Sequence, residues 1–220
     1  MPHEVKGKIW QELQEIKERS LKPFLKQFLT EDRFTGKELL DVAEQDSDFL
    51  ELDRRAKQIL DKTHPVEFIE FKNRNTLSFT VESGEEPYSL TGPTDHYFNT
   101  VKLYDLDELM DGISFEEAIP PILQDVVLDA FKGDIALHCK CPSYKYWGFN
   151  WLLTQGDSAI HPENRPPDVR NPQKGGDGRQ RFICKHQYAL LKDIIDNEQD
   201  QPISEMANGL MKQLKIGKFD

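Results

Sequence analysis

Ile135-Ala136-Leu137-His138-Cys139-Lys140-Cys141-Pro142 and, further along, Cys184-Lys185-His186 are the stretches that decide how this chain is read. They contain all three cysteines of the protein. Ile135 to Cys139 reads as a strand. Side chains two residues apart on an extended strand point the same way, so Cys139 and Cys141 can grip one ion. Cys184 and His186 repeat that spacing with a thiolate and an imidazole. Together they form a Cys3His set, one of the usual sets for a closed tetrahedral structural zinc site. Four protein ligands leave no position for water, so the expected role of one Zn2+ per chain is to organise the fold. The competing reading is three buried thiols packed as small apolar groups. A Cys139–Cys141 disulfide would be strained and would leave a third thiol over. His138 and His161 are possible substitute ligands.

The pattern Cys-x-Cys followed by Cys-x-His resembles the SWIM-type zinc finger, a family described as binding DNA or proteins. The match rests on Cys139, Cys141, Cys184 and His186. The 42 residues between Cys141 and Cys184 form a longer spacer than is usual there. Cys139-Lys140-Cys141-Pro142-Ser143-Tyr144-Lys145-Tyr146-Trp147-Gly148 is followed by Arg165-Pro166-Pro167-Asp168-Val169-Arg170-Asn171-Pro172 and then by Cys184-Lys185-His186. This wider string is similar to proteins of tailed bacteriophages. The resemblance implies a phage setting, with a virion component as one form of it, and supplies no catalytic residue.

Composition suits a globular protein that handles no membrane. Of 220 residues, 37% are apolar and 30% charged, and no apolar run approaches the ~18–20 residues of a membrane span. Met1-Pro2-His3-Glu4 lacks the basic and apolar regions of a secretory signal. Synthesis in a reducing cytosol is therefore expected, where thiolates stay available for zinc, and the phage resemblance implies a virion or the host cytoplasm as the location. The net charge of −11 is unevenly spread. Residues 139–190 carry eight Lys or Arg against four Asp or Glu. A mildly basic module thus sits on an acidic body, which would repel nucleic-acid phosphates.

The hydrophobic period changes along the chain. Ile9, Leu13 and Ile16, then Leu21, Phe24, Leu25 and Phe28, predict amphipathic helix over 4–30. Thr35-Gly36 opens a short helix to Ala43, and Ser47 is the expected N-cap of another that ends at His64-Pro65. From Val66 the pattern is that of strands. Leu77, Phe79 and Val81 alternate with Thr76, Ser78 and Thr80. Tyr88 to Leu90 and Tyr97 to Tyr104 add further strands, making three or four. Ser114 with Glu117 is a capping box for a helix to about Phe131, with Ile122, Val126, Leu128 and Phe131 inward, although Pro120 and Pro121 argue for a later start. A helix over 185–196 carries His186, and a last one starts near Pro202. The expected fold is α+β. It comprises a helical N-terminal region (1–64), a small antiparallel sheet plus helix (65–132), and a zinc-stabilised module with C-terminal helices (133–220).

Other candidate chemistry is thinner. Glu70 and Lys72 match the Glu-x-Lys half of a metal-dependent nuclease, but no upstream Pro-Asp partner accompanies them, and exposed strand positions are the better reading. Asp105, Asp107, Glu108 and Asp111 lack the alternating pattern of a calcium loop. Tyr144, Tyr146, Trp147, Phe149 and Trp151 form a hydrophobic wall beside zinc or, alternatively, a stacking surface for bases. Lys145, Arg165, Arg170, Arg179 and Arg181 are the candidate contacts to a partner. The function expected from all this is a non-enzymatic zinc-binding interaction protein of a phage particle or its assembly, with other phage proteins as partners. The alternative is a nucleic-acid-binding module.

Overall fold

Alternation of apolar and polar residues builds a sheet with one apolar face. A computed structural model describes residues 33–44, 49–83, 95–111, 113–114, 116–146, 153–154, 157–161, 183–196 and 200–215, all within the unit Arg33–Asp220. The strands are β1 (Phe34–Thr35), β2 (Val66–Phe71), β3 (Thr76–Glu82), β4 (His96–Leu103) and β5 (Asp134–Cys139). They form a five-stranded antiparallel sheet in the order β1-β5-β4-β3-β2. Across it, Leu77 faces Val101, which faces Leu137, and Phe79 faces Asn99, which faces Cys139. These residues share one face. The opposite face carries Thr76, Ser78, Thr80, Thr100, Lys102 and His138.

The sheet is larger than the three or four strands expected, because β5 pairs directly with β4 and β1 extends the far edge. Regions 1–64, 65–132 and 133–220 each contribute to it. A register shift between Phe68 and Glu70 resolves the odd spacing in β2. The bulge brings Phe68 and Phe71 to the same side, with ring centroids 5.4 Å apart, and leaves Ile69 exposed.

Helices cover the apolar face. They are α1 (Gly36–Glu44), α2 (Phe49–Leu60), α3 (Leu106–Asp111), α4 (Pro120–Lys132), α5 (Pro142–Tyr146), α6 (Lys185–Leu191) and α7 (Asp200–Lys215). A π-helical turn, Lys192–Asp196, continues α6. The fold is thus α+β. Thr35 and Glu38 cap α1 reciprocally: the Glu38 N–H donates to the Thr35 hydroxyl at 3.1 Å, and the Thr35 N–H donates to the Glu38 carboxylate at 2.8 Å. Gly36 lets α1 start hard against α4, since a Cβ there would lie 2.0 Å from the Phe131 carbonyl oxygen. The core is continuous from Leu77, Phe79 and Val101 through Phe131 and Val127 to Tyr188, Leu190, Met206 and Leu210, all buried.

Half of the expected capping box forms at Ser114, and it does not open the helix; the Glu117 N–H donates to the Ser114 carbonyl at 3.0 Å, not to its hydroxyl. The Ser114 N–H and hydroxyl both donate to the Glu117 carboxylate, at 3.1 and 2.7 Å, and close a turn. The helix itself begins at Pro120 with prolines at its first two positions, where the missing N–H costs nothing. Ile122, expected inward, is 38% exposed, and Leu123 and Val127 take the core positions instead. The segments 4–30 and 88–90 lie outside the described residues. Among the described residues, no helix is long and apolar enough to cross a membrane.

Candidate metal centre

The four residues singled out by spacing meet in space. One ligand atom from each of Cys139, Cys141, Cys184 and His186 lies within 4.8 Å of all the others, and all four residues are buried. Cys139 ends β5 and Cys141 immediately precedes α5. Cys184 is the N-cap residue of α6 and His186 lies in its first turn. Two elements far apart in sequence thus each deliver a pair. This is the only group of three or more candidate metal ligands among the described residues. It could hold a metal ion.

The surroundings fit an ion held by thiolates. Each sulfur accepts a backbone N–H: Cys139 Sγ from Cys141 at 3.4 Å, Cys141 Sγ from Tyr144 at 3.3 Å, and Cys184 Sγ from Gln187. Such donors favour the ionised sulfur. His186 Nδ1 lies 4.0 Å from Cys184 Sγ, while its Nε2 is buried without a hydrogen-bond partner among the described residues. A bound cation would satisfy one ring nitrogen. Around a tetrahedral zinc with ~2.3 Å arms, the sulfurs stand about 3.8 Å apart. The observed spread requires contraction by about 1 Å at most.

The thiols share protons unequally. Burial pushes Cys139 and Cys184 well above the ordinary thiol range. Hydrogen bonds from Cys139 and Cys184 pull Cys141 well below it. The neighbouring phenols sense the same cluster: burial and the sulfur charges raise Tyr144 and, to a smaller degree, Tyr97.

Two supporting contacts were not foreseen from the sequence. The Tyr97 ring of β4 stacks on His186, with centroids 4.5 Å apart. The Gln187 side chain accepts the Cys184 N–H at 3.1 Å and completes a capping box with that residue. The Cys184–Gln187 spacing was a readable signal for this box. Tyr97 had none, because its place beside His186 depends on strand pairing. Asn99, opposite Cys139, is also buried; its side-chain N–H donates to the Tyr97 carbonyl at 3.0 Å.

The proposed substitutes stay outside the group. His138 alternates with Cys139 on β5 and so lies on the opposite face. Its ring meets His161 edge-on at 4.7 Å and Tyr144 at 5.3 Å. Burial, with His161, Lys140 and Lys72 nearby, lowers its pKa to about 4. Tyr144 forms the wall beside the sulfurs and donates from its hydroxyl to the Leu137 carbonyl at 2.9 Å. Glu70 and Lys72 are both exposed, and neither belongs to a metal-ligating group. Lys145 falls on α5. Arg165, Arg170, Arg179 and Arg181 lie outside the described residues, as does the aromatic run at 147–151. Comparison with protein-family models, with curated proteins and with solved structures returns no match.

Proposed function

We propose that the chain is a non-enzymatic protein stapled by one structural Zn2+ on Cys139, Cys141, Cys184 and His186, and that it works through contacts with other macromolecules. The buried Cys3His cluster carries this reading. Three thiolates with an imidazole are soft ligands that suit zinc and disfavour magnesium or calcium. With four protein donors, no position remains for a reacting water, which argues against a hydrolytic role. The ion ties the end of β5 to the start of α6. It would stabilise a junction between elements separated by a long polar segment.

The resemblance of the strings at 139–148, 165–172 and 184–186 to tailed-bacteriophage proteins supports a phage setting. On that basis we propose a role in the virion or its assembly. Mass spectrometry of purified particles tests the virion form directly; its absence from them would refute that form.

The deciding experiment for the metal is elemental analysis of the untagged protein, with melting recorded before and after chelation. One zinc per chain and a large loss of stability on chelation are expected. Zinc-free protein with unchanged melting would reduce the three cysteines to apolar packing groups.

A further inference from the structure

Away from the metal cluster, the polar face of the sheet presents a pattern that the structural role leaves unused. Along β4, Phe98, Thr100, Lys102 and Tyr104 fall at alternate positions and so share this face. At ~3.3 Å per residue they span about 20 Å. Phe98 is 48% exposed. Lys140, just past β5, places its ammonium 5.2 Å from the Phe98 ring centroid. Lys102 sits 4.4 Å from the Tyr104 ring centroid. Neither lysine has a carboxylate partner among the described residues.

An open pocket of about 480 Å³ lies at one end of this track. Asn73, Arg74, Asn75, Lys102, Tyr104 and Ile160 are among its lining residues. Arg74 is neutralised by Asp107 at 3.2 Å, and the Arg33 guanidinium beside Tyr104 is paired with Asp157 at 3.3 Å. That leaves Lys102 as the lining cation without a carboxylate partner among the described residues. The carboxylates of Glu67 and Glu70 stand at the β2 side and bound the track there.

We propose that this face binds single-stranded nucleic acid. The phosphates would run past Lys102 and Lys140, the bases would stack on Phe98, and the pocket would receive one nucleotide. Lysines without a carboxylate partner beside an exposed aromatic ring, here Phe98, are the chemistry of strand-binding platforms, in which cations track the backbone and rings accept any base. Paired lysines in an acidic protein would have suggested surface solubility alone. The platform lies on the side of β5 opposite Cys139, but Lys140 stands between the candidate ligands Cys139 and Cys141, so metal content is read alongside binding.

The test is fluorescence anisotropy of labelled oligothymidylate with the full chain, titrated at several salt concentrations, with a free mononucleotide as competitor. Binding should weaken with salt. Lys102→Gln and Lys140→Gln should each reduce the log–log salt slope by about 0.7. Phe98→Ala should weaken binding roughly tenfold or more. These side chains are exposed or half-exposed, and unchanged melting and metal content would show that the variants keep the fold. A mononucleotide that competes poorly would identify the strand as ligand. Equal competition would confine recognition to the pocket and overturn the strand proposal. Failure to bind at low salt, or binding unchanged in the triple Phe98→Ala/Lys102→Gln/Lys140→Gln variant, would also overturn it.

Discussion

Cys184→Ser separates a metal ligand from a helix cap. Cys184 is the N-cap residue of α6, with φ −83° and ψ 168°, and its sulfur accepts the Gln187 N–H. Serine is a preferred residue at that position, and with Gln187 at the third helical position it gives a standard capping box. The helix start is therefore kept or strengthened. What is lost is one thiolate of three, and so one candidate ligand of four. If zinc stands about 1,000-fold above its dissociation constant, it adds about 4 kcal/mol to stability. In a chain of this size each kcal/mol shifts Tm by about 2–4 °C, so the expected loss is roughly 8–16 °C. The assay is zinc per chain by elemental analysis together with Tm by calorimetry, for parent and variant, with and without chelator. The variant should hold little zinc, melt near the chelated parent and respond no further to chelator. A variant that melts at or above the parent, with unchanged metal content, would refute the reasoning. A buried thiol with only a packing and capping role would give that result.

Four further outcomes follow from the geometry. Gln187→Ala removes the acceptor that fixes the Cys184 N–H, and should lower metal affinity about ten- to a hundredfold in a competition titration with a chromophoric chelator. Gly36→Ala drives a Cβ into the Phe131 carbonyl, and should cost about 1–3 kcal/mol in denaturant unfolding. Phe131→Ala empties a fully buried site that meets the Phe79 ring edge-on at 6.0 Å, and should cost about 3–5 kcal/mol in the same assay. Burial and the nearby Asp105 charge raise the Asp134 pKa above its ordinary value. The stability linked to this group is thus full below its unfolded pKa and is lost as pH rises through the folded one. Asp134→Asn should raise Tm slightly at neutral pH, and the gain should vanish in acid.

Several elements were legible because they depend on neighbours in sequence. The alternation in 76–82 gave β3, Thr35-Gly36 gave the start of α1, and the period after His186 gave α6. The metal cluster was legible for a different reason. Thiols are scarce in this chain, and ligand chemistry admits few partners, so residue type and spacing alone nominated all four donors. The bulge at Phe68 was visible only as a broken period, and pairing with β3 explained it. Ser114 and Glu117 pointed to an early helix start and the prolines at 120 and 121 to a later one; the helix begins at Pro120, and the turn at Ser114 has no helix behind it.

Sequence alone thus determined the α+β character, the strand and helix periods, and the identity of the four candidate ligands. These follow from local backbone preference and from the chemistry of single side chains. Tertiary structure decided that β5 pairs with β4, so that Cys139 faces the helices while His138 and Lys140 face away. It also set Tyr97 against His186 and aligned Phe98, Lys102 and Lys140 across strands. Those juxtapositions depend on register, and register is fixed by which faces the whole chain can bury together.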